Sequence, residues 1–194
     1  MQGQFLKFRW DFRKNTVNVI PIQLNDDIVQ VSNSFKYLGL TIDDKLNFKD
    51  HIDNQIKKVQ KRLYCIRSMR KLNVNADIIT MFYNSTVTPV LMYASLAFYS
   101  LISNQLRSEM DRPRRICQKV LKRNEKSILC TSNNDTYRSQ INSSVPKILK
   151  DPTHPLNYYF QLLPSGRRYR VPKIRTTRFK NSFVVQAILD MNSQ

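Results

Sequence analysis

Two pairs of adjacent carboxylates stand near the start of this 194-residue chain, Asp26-Asp27 and Asp43-Asp44. Paired aspartates on a tight hairpin, joined by a third carboxylate, can hold two metal ions for in-line phosphoryl chemistry. Their flanks, QLNDDIV and LTIDDKL, read instead as polar turns between apolar stretches. A second set is His51-Ile52-Asp53 with a distal His154, the residue types and order of a non-haem iron site. The periodicity places His51 and Asp53 in the first turns of a helix, where residues two apart point about 200° from each other and cannot share one ion. The cysteines Cys65, Cys117 and Cys130 are odd in number and far apart, so they form neither a disulfide framework nor a ligand set with metal spacing. Three glycines cannot build a phosphate-cradling loop. No cofactor is expected.

Basic side chains carry the stronger signal. Net charge is +18, which calls for an anionic partner, nucleic acid before an acidic membrane surface. The charge is uneven. Residues 49–71 hold eight basic and two acidic side chains and residues 131–194 ten and three, whereas residues 1–48 are nearly balanced at six and five. Within 49–71, Ile52, Ile56, Val59, Leu63 and Ile66 recur at spacings of four and three, one apolar stripe on a helix. Lys57, Lys58, Lys61, Arg62, Arg67, Arg70 and Lys71 occupy the other faces. A helix that buries one face and offers cations on another suits a phosphate backbone. The second basic motif is Gly166-Arg167-Arg168-Tyr169-Arg170, where arginine forks can take phosphate oxygens and tyrosine can stack on a base. The same motif can equally belong to a tail that folds back on the protein.

These side chains depend on the backbone elements that carry them. Residues 5–12 alternate as a strand, and Val17–Ile22 and Ile28–Val31 form a hairpin around Gln23–Asp27. Phe35–Ile42 is a further strand, with Gly39 allowing close backbone approach. Three or four antiparallel strands result, marginal without a cover. Asn47 caps the basic helix, and Asn75 caps the next. Residues 76–102 form a mostly apolar, central helix that Pro89 must kink or split. Residues 104–123 give a third, basic helix, with Leu106, Met110, Ile116, Cys117, Val120 and Leu121 facing inward. A loop is expected over 124–135, a short helix over 136–150 broken at Pro146, an extended proline-rich stretch over 151–180, and a last short helix over 181–191. The expected class is α+β: a small antiparallel sheet (1–48), a bundle of about three helices (49–130) and an extended basic C-terminal tail (131–194). The longest apolar run, Pro89–Leu101, is about half a membrane span, and no signal segment opens the chain, so an intracellular, nuclear or cytoplasmic, location is expected.

The run FKYLGLTIDDKLNFKDHI, followed by a Lys/Arg-rich helix that ends in RSMRKL, resembles the palm-to-thumb junction of non-LTR retrotransposon reverse transcriptases of the LINE or jockey type. The segment from Asp151 to Asn192 resembles the extreme C-terminus of the same elements, and DFRK (Asp11–Lys14) and the PIQLNDDIVQV hairpin also fit. The resemblance covers nearly the whole chain. It implies that Tyr37, Leu38 and Gly39 match the primer-grip end of the palm. The helices then match a thumb that grips RNA or an RNA–DNA duplex by its backbone, without a small-molecule substrate or a membrane. In that family the catalytic pair follows an aromatic and a small residue; neither aspartate pair here does, which implies a non-catalytic piece that starts after the active site and lacks its upstream polymerase half. MQGQFLKFRW then reads as a truncated boundary. Much of the same stretch is similar to what is called the N-terminal domain of the AlkB-homologue-eight tRNA-modifying enzyme, which implies instead an iron- and 2-oxoglutarate-linked protein. A domesticated protein-interaction module is the third reading.

Overall fold

The computed structural model describes residues 32–121 and 131–193 fully, and the backbone of eight further residues in four short strands. Those strands are β1 (Leu6–Lys7), β2 (Gln23–Leu24), β3 (Asp27–Ile28) and β4 (Gln30–Val31). β2 and β3 pair antiparallel around the expected turn, but β1 and β4 pair in parallel, so the expected single antiparallel sheet is replaced by separate two-stranded ladders. Most of the strands expected over 5–12 and 17–22, the loop over 124–130, Cys130 and the cations Lys122 and Arg123 lie outside the described residues.

The expected strand Phe35–Ile42 is two strands. β5 (Ser34–Tyr37) and β6 (Leu40–Asp43) pair antiparallel, with Tyr37 opposite Leu40. The turn between them is Leu38-Gly39, with φ of 46° and 84°. Positive φ at both central residues is the twist that a two-residue hairpin needs, and glycine takes it without strain. Gly39 also has a neighbour: a Cβ there would sit 3.2 Å from the Tyr93 ring. The Tyr93 hydroxyl donates to Leu38 O at 2.5 Å and so fastens the hairpin tip to the helical body.

α1 (Lys49–Lys71) comes next, and its start differs from the expectation. Phe48, not Asn47, is the cap residue, with φ 58° and no side-chain bond of its own. Asp43 does the capping from the end of β6: its two carboxylate oxygens accept the Asn47 and Phe48 amides at 2.9 and 2.7 Å. An aspartate with the chemistry of a metal ligand thus satisfies backbone donors at a helix start.

α2 (Ala76–Phe82) is capped by Asn75 as expected, through Asp77 N–H at 2.9 Å. Pro89 splits the rest of the expected central helix. It has no N–H to give, and its ring excludes the regular bond in the turn before it. The chain answers with a π-helical turn, Tyr83–Val87, where Thr88 N–H bonds back to Tyr83 O. α3 (Thr88–Leu91) and α4 (Ser95–Phe98) complete the buried middle. α5 (Asn104–Leu121) buries Leu106, Met110, Pro113, Cys117 and Leu121, while Ile116 and Val120 are half-buried against the core.

α6 runs unbroken from Asn133 to Lys150, three residues longer at its start than expected and not interrupted by Pro146. Ser132 caps it through Asn134 N–H at 3.2 Å. Pro146 and Asn142, whose carbonyl loses its partner, both face solvent. Beyond it come a short 3-10 turn (Asn157–Tyr159), α7 (Thr177–Lys180) and α8 (Phe183–Asn192). The C-terminal third is more folded than its prolines suggest. Tyr137, Ile141, Val145 and Ile148 of α6 and Ala187 and Ile188 of α8 join the same buried cluster as Ile52, Val59, Leu63 and Ile66 of α1. The class is α+β, dominated by helices, with β5–β6 packed at the N-terminal end of α1. Among the described residues, no helix is long and apolar enough to cross a membrane.

Candidate nucleic-acid interface

α1 presents its cations in groups. Its buried side is His51, Ile52, Gln55, Val59, Leu63 and Ile66. Opposite, Lys57, Lys58 and Lys61 are exposed and Arg62 half-buried; together with Cys65 they line one shallow surface depression. Lys57 and Lys61 lie one turn apart, as do Lys58 and Arg62, so the four make two adjacent ridges. Arg62 is steadied by a bond from Nη1 to Lys58 O at 3.2 Å. This is the part of the expected site that the structure brings together.

The other α1 cations are elsewhere. Arg67 lines a groove between α1 and α5 whose floor is Ile56, Leu63, Pro113 and Ile116 and whose rim also holds Asp53, Glu109 and Arg112. Carboxylates within that rim make it a poor phosphate track. Arg70 and Lys71 occupy the last turn of α1, where cations meet unpaired carbonyls.

Gly166–Arg170 is built on a separate small hairpin. Leu163 N–H bonds to Arg168 O at 2.8 Å and Arg170 N–H to Gln161 O at 2.7 Å, with Gly166 at φ 68° closing the turn. Arg167, Arg168 and Arg170 are exposed. Tyr169 is turned inward instead: its ring meets Phe160 edge-on at 6.3 Å, and Asn192 bonds both its N–H and its carbonyl at 2.8 and 3.0 Å. The ring expected to stack on a base packs on the protein. Conversely, Tyr64 is an aromatic that the sequence reading missed. It is 69 % exposed, three residues beyond Lys61 and seven beyond Lys57, hence on the cationic face. Its signal was an aromatic off the apolar stripe. Tyr37 and Leu38 are also exposed, at the hairpin tip.

The iron-type residues are dispersed. His51 is 2 % exposed, its Nδ1 accepts Thr41 N–H at 3.4 Å, and its ring meets Phe98 edge-on at 5.1 Å. Asp53 faces the α1–α5 groove, and His154 sits in the turn after α6, accepting Leu156 N–H at 3.1 Å. No group of three metal-ligating side chains comes together among the described residues.

Burial is the main influence that holds the His51 pKa below its ordinary 6.5; the Lys58 charge adds to it, and a backbone hydrogen bond at Tyr93 opposes it. Folding therefore disfavours the protonated ring. Stability linked to His51 is present above pH 6.5 and is lost as pH falls through the lowered folded value. Chemical denaturation between pH 7.5 and 5 is expected to show this fall, and His51→Gln to remove its share of the slope. An identical slope in the variant would contradict the assignment.

No protein-family model matches the chain, and no solved structure does. Among curated proteins, the RNA-directed DNA polymerase from mobile element jockey of Drosophila melanogaster is 28% identical over 116 residues, which is 58% of this chain and 12% of that protein. The chain thus spans only a small part of the curated relative it matches, and the similarity supports a reverse-transcriptase-like region in a distant relative of retroelement polymerases.

Proposed function

We propose that this chain grips a nucleic-acid duplex, RNA or an RNA–DNA hybrid, through its phosphates and without reading sequence, as a thumb-like piece of a retroelement polymerase. The observation that carries the reading is the co-location of Lys57, Lys58, Lys61 and Arg62 on one solvent face of α1, beside the exposed Tyr64. Four cations on a rigid helix follow a backbone and carry no base code. Tyr64 adds a flat ring for a base or sugar at the edge of the duplex. The β5–β6 hairpin, with Tyr37, Leu38 and Gly39 at its tip, serves as the primer-side contact, held at a fixed height by Tyr93. Asp43 is committed to the cap of α1, which supports a role in holding the duplex.

Fluorescence titration of an RNA–DNA hybrid over a salt series tests the reading. Binding that weakens steeply with salt and is equal for unrelated sequences supports it; absent or salt-independent binding contradicts it. Primer extension with magnesium and nucleotides is expected to give no product.

A further inference from the structure

A cavity of about 170 Å³ lies between the start of α5, the first turns of α6 and α8. Tyr99, Ser100, Arg107, Tyr137, Arg138 and Asp190 are among its walls. None of these residues belongs to the α1 face. Tyr99, Ser100 and Tyr137 are all at least nine-tenths buried. In this wall Arg107 Nε is covered and has no hydrogen-bond partner among the described residues, and the covered Ser100 and Tyr137 hydroxyls have only each other. Native interiors rarely leave such groups unpaired.

The wall is also held in place. The Arg107 guanidinium sits over the Tyr99 ring at 5.5 Å and donates from Nη2 to Ser100 O at 3.0 Å. Tyr99 and Tyr137 stack at a tilt, 5.0 Å between centroids. Burial pushes both phenols above their ordinary pKa, and the nearby Ser100 hydroxyl offsets only part of that push at Tyr137, so both remain O–H donors at neutral pH. Arginines and hydroxyls thus supply donors to the wall, with Asp190 the one carboxylate among its described lining residues and Asp111 and Asp135 near enough to act on Tyr99.

We infer that this cavity binds a phosphate group that still carries a proton, either free phosphate or the terminal monoester of a nucleic-acid strand. Arg107, Arg138 and the hydroxyls donate to the phosphate oxygens. Asp190 accepts the proton of the phosphate hydroxyl. That last contact discriminates: sulfate at neutral pH has no proton to give and meets a bare carboxylate, and an internal phosphodiester has none either.

The test uses the full chain at constant ionic strength, with thermal unfolding read against inorganic phosphate and against sulfate. Phosphate is expected to raise the melting temperature in a saturable way while sulfate does not. Arg138→Ala, at an exposed position on the rim that the fold does not need, is expected to weaken phosphate at least fivefold, and Tyr137→Phe to do likewise. Asp190→Asn is expected to admit sulfate and so erase the discrimination. A 5′-phosphorylated oligonucleotide that competes with phosphate, where its unphosphorylated twin does not, identifies the strand terminus as the source; no competition by either identifies free phosphate. The proposal is overturned if phosphate stabilises no more than sulfate, or if the stabilisation survives Arg138→Ala and Tyr137→Phe. It is equally overturned if the effect disappears when Lys57, Lys58, Lys61 and Arg62 are changed, because the anion would then be on α1. Failure of duplex binding by α1 leaves these outcomes unaffected.

Discussion

Changing Lys57, Lys58, Lys61 and Arg62 together to Ala is expected to abolish most of the salt dependence of duplex binding while the chain stays folded. Each contacted phosphate releases counterions, so four contacts give a slope of log K against log salt of about −3 to −4. Between 50 and 200 mM salt that amounts to a loss of roughly 100-fold in the intact chain. The four side chains leave the buried side of α1 untouched, so stability should change by no more than about 0.5 kcal/mol per site. The matching triple change at Arg167, Arg168 and Arg170 should cost less, because its hairpin is clasped to α8 through Asn192 and its tyrosine faces inward. A quadruple variant that keeps the original affinity and slope contradicts the assignment. So does a tail variant that loses more, since the binding surface would then be the hairpin.

Ile66→Ala is expected to cost about 2–5 kcal/mol of folding stability, a large share of what a domain of this size has. Ile66 is 0 % exposed and lies on the inner side of α1, within the cluster that also takes Leu63, Ile79, Met110 and Ile141. Truncating it removes its outer methyl and methylene groups and leaves a void that packed helices on several sides cannot collapse around. Urea denaturation checks this, with Lys61→Ala as the surface comparison. A loss below about 1 kcal/mol would mean that α1 does not seal the core. The cationic face would then lack the rigid support its geometry needs.

Legibility in the sequence varies by element. The stripe Ile52, Val59, Leu63 and Ile66 was visible because apolar spacing reports burial directly, and Ile56 falls at its half-buried edge. His51 and Gln55 are buried on the same side, which hydropathy could not reveal, since hydrogen bonding and an aromatic neighbour make their burial tolerable. The Leu38-Gly39 turn was hidden because leucine is not a turn residue; the contact with Tyr93, far along the chain, makes the turn worthwhile. Proline was misread in one case and correctly read in another. Pro89 is itself exposed, and the chain changes to a π-helical turn just before it. Pro146 is exposed too and, like the buried Pro113 of α5, lies inside a helix that runs on. The aspartate pair Asp43-Asp44 carried no mark of its capping role, because the donors it serves are four and five residues ahead. As for the site, periodicity placed the cations on α1 correctly but could not separate the four that share a surface from Arg67, which faces a groove with two carboxylates.

Cys65 offers the most direct measurement. It is exposed within the depression formed by Lys57, Lys58, Lys61 and Arg62, whereas Cys117 is buried. The alkylation rate of Cys65, followed by peptide mass analysis, reports whether that face is covered. A saturating RNA–DNA hybrid is expected to slow modification of Cys65 at least tenfold at low salt and to lose that protection as salt is raised. Unchanged reactivity of Cys65 in the presence of bound hybrid would contradict the assignment of α1 as the gripping face, because the nucleic acid would then lie on another surface.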